Sequence, residues 1–192
     1  QFILDALKDY FQKGQGLTTG FPGNYQRELA ELILRQIDAQ KIRFTTSGTL
    51  ATMYALMLAK AFTKREMVMK VGGGWHGGQP YALKGISIYD QGWNRLESPG
   101  RPPGIDSMIA VTRFNDIEDF EEKFKAHGEK MACFILEPFI GSGGSIFAHK
   151  NYLHRARELA KEYDALLIFD EVVSGFRFHP GGIQSLYGIK PD

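Results

Sequence analysis

Asp170 and Glu171 follow directly on Leu166-Leu167-Ile168-Phe169, and two carboxylates ending an apolar run concentrate chemistry at one point of the chain. The run reads as a strand buried on both faces. A helix pattern from Asn151 to Tyr163 precedes it, which places Asp170 at the tip of a strand in a parallel sheet. In open α/β sheets that edge is where ligands sit. A second place is Thr46-Ser47-Gly48-Thr49, between a short apolar run and the helical pattern Leu50 to Phe62. The first N–H groups of a helix lack internal partners and its dipole favours negative charge, so Ser47, Gly48 and Thr49 suit a phosphate. The same residues also suit a plain Ser or Thr N-cap, and on their own they do not separate the two. A third is Trp75-His76 inside Gly72-Gly73-Gly74 and Gly77-Gly78. It reads either as a binding loop or as a packed aromatic with a satisfied imidazole. The glycine spacing does not fit the dinucleotide pattern G-x-G-x-x-G, which argues against a nucleotide-binding domain.

These residues need elements to hold them. Apolar spacing predicts helices from Phe2 to Lys13 and from a cap at Asn24, with Leu29, Leu32, Ile33 and Ile37 on one face. Strands are predicted at Ile42–Thr45, Met67–Val71, Met108–Thr112, Met131–Leu136 and Leu166–Phe169, with a hint at Ile86–Tyr89. Asn115 or Asp116 caps a helix that runs to about His127. Strands and helices thus alternate from Ile42 to Phe169, which points to a mostly parallel sheet covered on both faces. The strand tips carry Ser47, Trp75, Asn115, Glu137 and Asp170, a set that can converge on one pocket. The glycine- and proline-rich stretch from Pro80 to Asp106 reads as a covering lid or a plain surface excursion.

Composition narrows the class. The 192 residues suffice for one domain with a substantial core. An apolar content of 43% and charged content of 23% exclude a disordered chain. The net charge is +1, and Lys60, Lys64 and Arg65 are scattered among acids, so neither nucleic acid nor a membrane surface is the expected partner. Cys133, the single cysteine, lies in an apolar run and reads as a buried, inert thiol in a reducing compartment. Asp5 and Asp9 interrupt the start, which lacks a signal-peptide layout and looks like a helix already under way.

Ser47-Gly48-Thr49-Leu50-Ala51-Thr52-Met53, Gly74-Trp75-His76-Gly77, Glu137-Pro138 and Phe169-Asp170-Glu171-Val172 with Gly175-Phe176-Arg177 occur in an order and spacing that resembles the class III, pyridoxal-phosphate-dependent aminotransferases. Arg113-Phe114-Asn115-Asp116, Ser98-Pro99-Gly100 and Gly188 to Asp192 add to the likeness. Within the class it runs to the glutamate-1-semialdehyde aminomutases. The resemblance implies an α/β fold with a mostly parallel mixed sheet and helices on both faces, like the large domain of fold-type I pyridoxal-phosphate enzymes. It implies an N-terminal helical segment over 1–41 and a cofactor-binding domain over 42–192, incomplete and without its small C-terminal domain. It implies pyridoxal 5'-phosphate as cofactor, with Ser47, Gly48 and Thr49 at the phosphate, Trp75 stacked on the ring and His76 beside it. Asp170 would pair with the ring nitrogen, Val172 would pack on the opposite ring face, and Asn115 and Glu137 would lie near the ring edge.

The implied activity is amino-group transfer between an amino donor and an aldehyde or ketone, or within one molecule, by a cytoplasmic homodimer. Racemase chemistry on the same scaffold, or a noncatalytic cofactor-binding or scaffolding relative, remains as the alternative. Three departures stand out. Leu50 replaces a glutamate usual after Ser-Gly-Thr. Trp75 replaces a Tyr or Phe. The family's Schiff-base lysine follows a Pro-Asp pair, whereas this chain ends at Pro191-Asp192, and neither Lys70, Lys84 nor Lys190 matches that motif. The resemblance therefore implies a fragment, inactive on its own in transamination.

Overall fold

The computed structural model describes residues 1–13, 23–87 and 98–192, in two compact units, Gln1–Ile42 and Arg43–Asp192. The first unit holds α1 (Phe2–Gln12) and α2 (Asn24–Leu34). Tyr10 meets Tyr25 edge-on at 5.2 Å, and neither helix has a buried residue. Gly23, rather than Asn24, is the N-cap of α2, and the helix ends before Ile37.

The second unit is built on a sheet of four parallel strands: β1 (Met67–Val71), β2 (Ile109–Thr112), β3 (Met131–Leu136) and, after a short antiparallel pair β4 (Phe139–Ile140) and β5 (Ile146–Phe147), β6 (Leu166–Phe169). The order is β2-β1-β3-β6. All six residues of β3 are buried, as befits a strand flanked on both sides and covered on both faces. Between β1 and β3, α3 (Gly48–Thr63) covers one face through Leu56 and Ala59 against Val68, Cys133 and Ile135. On the other face α4 (Ile117–His127) and α5 (Lys150–Glu162) bury Phe120, Phe124, Tyr152 and Leu153 against Met69, Phe134 and Leu136. Phe120 is the hub there, with ring centroids 4.9 Å from Phe124, 4.7 Å from Phe134 and 5.4 Å from Tyr152. Burial pushes the Cys133 thiol up to about 12, so it stays protonated and inert.

Two expectations change. Ile42–Thr45 is not a strand: the segment has no regular structure. Arg43 instead lies 4.8 Å over the Tyr54 ring of α3, and the Thr45 hydroxyl donates to the Ser47 carbonyl, turning the chain into the helix. Four apolar-leaning residues do not make a strand without a partner edge. Met108 belongs to a single 3₁₀ turn ahead of β2. Of the hinted strand Ile86–Tyr89 only the first two residues are described, and they lie in no strand. Of the suggested lid, Pro80 to Asp106, residues 88–97 lie outside the described ones, and the described ends carry 3₁₀ turns at Pro80–Ala82 and Ile105–Met108.

Because the strands are parallel, their C-terminal tips share one edge. The chain steps from β1 outward to β2, then returns past β1 to β3. The crevice at that reversal, between the tips of β1 and β3, is where ligands bind in such sheets.

Candidate ligand-binding site

A cavity of about 240 Å³ opens at this edge, lined among others by Gly48, Thr49, Trp75, His76, Glu137, Asp170 and Val172. Each comes from the start of a helix or the end of a strand, so the fold that separates these residues in sequence gathers them in space.

Ser47 is the N-cap of α3, its hydroxyl accepting the Leu50 N–H at 3.2 Å, and its carbonyl accepts the Ala51 N–H. Among the described residues, the N–H groups of Gly48 and Thr49 are left for a ligand. Ser47 is thus a capping residue behind the cavity, while Gly48 and Thr49 line it. A side chain at position 48 would meet the Val172 methyls at 3.1 Å, so glycine lets Val172 lie over the helix start.

The loop after β1 is locked onto α3. Gly77 has φ of +86°, and a Cβ there would collide with Thr49. The Thr52 hydroxyl lies between the carbonyls of His76 at 2.7 Å and Thr49 at 3.1 Å. Lys70, fully buried in β1, sends its ammonium to the carbonyls of Gly74, Ala82 and Lys84 at 2.9, 2.9 and 3.0 Å. That loop sets out the Trp75 ring, 47% exposed at the cavity mouth.

Asp170 follows the last ladder pair, Leu136 with Phe169, and its N–H donates to the Leu136 carbonyl at 2.8 Å. Its side chain is buried against His76, with Nδ1 to Oδ2 at 2.8 Å, and Oδ1 accepts the Val172 N–H at 3.1 Å. A carboxylate only accepts, so Nδ1 carries the proton. His76 Nε2 is buried and has no hydrogen-bond partner among the described residues. Glu137, at the tip of β3, accepts N–H groups from Trp75 at 2.7 Å and Gly141 at 3.3 Å, and burial pushes its carboxyl above the ordinary value.

Not every expected residue is here. Asn115, at the tip of β2 with φ of +59°, spends its amide elsewhere: Nδ2 donates to the Phe147 carbonyl at 3.0 Å and Oδ1 accepts the His149 N–H at 2.8 Å. It ties β5 and the start of α5 to the sheet and does not line the cavity. Glu171 likewise turns away, accepting N–H groups from Ile183 and Gln184 at the start of α6 (Gly182–Tyr187). Thr52, Gly77, Ser142 and Val173 line the cavity without having been singled out for it. Thr52 had one visible cue, a hydroxyl three residues after Thr49 on the same helix face.

Helix start, buried carboxylate and apolar side chains share one cavity at the strand-tip edge of an α/β domain. Comparison with known proteins makes the class specific. The model of the family described as aminotransferase class-III matches residues 2–192, and the chain belongs to that family. Glutamate-1-semialdehyde 2,1-aminomutase of Sulfurihydrogenibium azorense is 39% identical over 191 residues, which is 99% of this chain and 44% of that protein. Among solved structures, an omega-transaminase from Sphaerobacter thermophilus superposes with a TM-score of 0.86 at 32% identity, over 94% of this chain and 43% of that one. A transaminase with PLP bound follows, with a TM-score of 0.84 at 31% identity over 93% and 42%. The chain thus spans less than half the length of these relatives.

Proposed function

We propose that this chain forms the cofactor-binding part of a pyridoxal 5'-phosphate-dependent enzyme that moves amino groups, as an aminotransferase or an aminomutase. The observation that carries the reading is the pairing, on one cavity, of the α3 start with a buried, doubly hydrogen-bonded Asp170. The donor set fits the cofactor: N–H groups of Gly48 and Thr49 for the phosphate, Asp170 for a cationic ring nitrogen, and Trp75 and Val172 as apolar surfaces for the two ring faces. When bound, the cofactor draws electrons from the substrate carbon, and a positive ring nitrogen deepens that sink. The protein's part is to hold the Asp170 side chain in place, because an opposite charge nearby favours the protonated ring. His76 and the Val172 N–H do so by each donating to one oxygen. Ser47 fixes the helix start.

Substrates would be a small amino donor and an aldehyde or ketone acceptor. We place the enzyme in the cytoplasm, a location that the single buried thiol of Cys133 fits. A homodimer is supported by Met57, Leu58 and Phe62, exposed on the outer side of α3. No described helix is long and apolar enough to cross a membrane.

Titrating the protein with pyridoxal phosphate and with pyridoxal, by tryptophan quenching and cofactor absorbance, tests the reading. Saturable binding is expected, much weaker for pyridoxal, which lacks the phosphate. No binding, or equal binding of the two, would overturn it.

A further inference from the structure

Glu137 is buried, with 4% of its surface exposed, at the tip of the central strand β3. The resemblance puts it at the edge of the cofactor ring, yet its oxygens are engaged with the protein's own backbone. Oε1 accepts the N–H of Trp75, from the loop after β1, and Oε2 accepts the N–H of Gly141, in the turn between β4 and β5. That turn, Gly141-Ser142-Gly143-Gly144, has one side chain beyond hydrogen, and Ser142 lines the cavity. It is wedged between its neighbours. A Cβ at Gly143 would come within 3.3 Å of the Gly73 carbonyl, and one at Gly141 within 3.1 Å of Val173.

Resting on the cofactor reading above, we propose that Glu137 is a positioning residue that bolts the Trp75 backbone to the Gly141–Ser142 turn, and so fixes the spacing between the stacking wall and the substrate-side wall of the cavity. Each wall is a loop at a strand tip, and a buried carboxylate with one oxygen for each is a rigid bridge between them. Three titratable groups meet here. His76 faces Glu137 across Gly74, where a Cβ would lie 3.3 Å from His76 Nε2 and 3.8 Å from Glu137 Oε1, and Asp170 faces it from β6. Burial and Asp170 push the Glu137 carboxyl upward, while the two N–H groups and His76 pull it down, the net direction being up. Protonation weakens one of the two acceptors, and the longer bond, to Gly141, is the one to open.

The test begins with the wild-type protein without cofactor, followed by amide NMR as pH is lowered. The Trp75 and Gly141 amide protons are expected to titrate with one shared midpoint, above the ordinary glutamate value of 4.5. Amides that do not respond, or respond with different midpoints, would overturn the bridge. Glu137→Gln keeps the size but turns one acceptor into a donor. It is expected to abolish the shared titration, to speed exchange of the Gly141 amide, and to weaken pyridoxal phosphate binding about tenfold, the loss typical of one hydrogen bond to a charged acceptor. A titration that persists in Glu137→Gln belongs to another group and overturns the proposal, as does unchanged cofactor affinity. Failure of the wild type to bind cofactor would instead strike the functional reading and leave the amide titration standing.

Discussion

At the scale of single residues, the site turns on two buried carboxylates, each held by a donor on each oxygen. For Asp170 the donors are His76 Nδ1 and the Val172 N–H. Asp170→Asn is therefore expected to lose most pyridoxal phosphate affinity. The two amides at position 76 separate geometry from bulk: asparagine can place an N–H near the position of Nδ1, and glutamine near that of Nε2. His76→Asn is expected to bind cofactor within a few-fold of wild type and His76→Gln about tenfold worse, one charge-assisted hydrogen bond apart. Equal losses in both would reduce His76 to packing. Glu137 has its two donors in the Trp75 and Gly141 N–H groups, and burial still raises its carboxyl above 4.5. Between 4.5 and that raised value the folded chain keeps a proton that the unfolded chain has released, so Glu137 makes stability fall as pH rises through the window. Glutamine releases no proton. The Tm of Glu137→Gln minus that of wild type is expected to grow across this window and level off above it. A difference that stays flat with pH would mean that the folded chain ionises Glu137 as readily as the unfolded one does.

The elements explain why some of this was legible in the sequence and some was not. The continuous apolar run Met131–Leu136 marks a strand buried on both faces, whereas Leu166–Phe169, expected to be the same, is the last strand of the sheet and fully buries only Leu167; each run ends in a carboxylate that marks the sheet edge. Hence the positions of Glu137 and Asp170 could be read directly. Periodicity could not reveal that the Glu137 oxygens are taken by backbone N–H groups, or that the Asn115 amide faces the Phe147 carbonyl, because both depend on loops whose paths no local pattern encodes. Lys70 inside β1 breaks the apolar pattern and yet is satisfied, through three carbonyls from later segments. The helix α3 carries the sharpest local expectation. Ser47 is its N-cap and Leu50 stands at the third helical position, where a glutamate would complete a capping box by reaching back to the Ser47 N–H. Ser47→Ala is expected to cost about 1 kcal/mol in chemical denaturation. Leu50→Glu is expected to recover stability of up to the same order by completing that box, with cofactor affinity kept within a few-fold, since the resembling family usually carries glutamate there. No gain in the denaturation midpoint would mean that a side chain at position 50 does not reach the Ser47 N–H.

At the scale of the whole molecule, the question is what a chain matching 44% of its aminomutase relative can do with the site it contains. The residues proposed for the phosphate, the ring faces and the ring nitrogen come together on one edge of the sheet, whereas among the described residues lining the cavity there is no lysine. Lys70 and Lys84, both near the loop after β1, are committed to structure. Lys70 holds three carbonyls and Lys84 donates to those of Asp106 and Ile109 at 2.8 and 2.9 Å. Burial also pulls the Lys84 ammonium below its ordinary value, but freeing either amine for bond formation would leave buried carbonyls without donors, a cost of about 1–3 kcal/mol each. Cofactor held by this chain should therefore be held without a covalent bond. Pyridoxal phosphate is expected to leave on dialysis. After borohydride reduction and peptide mass spectrometry, neither Lys70 nor Lys84 should carry a stoichiometric pyridoxyl group, and scattered labelling of exposed lysines should not rise with site occupancy. A full label at Lys70 would mean that the loop after β1 opens on binding and that its three-carbonyl anchor is not part of the liganded state. A full label at Lys84 would say the same of its anchor to the Asp106 and Ile109 carbonyls.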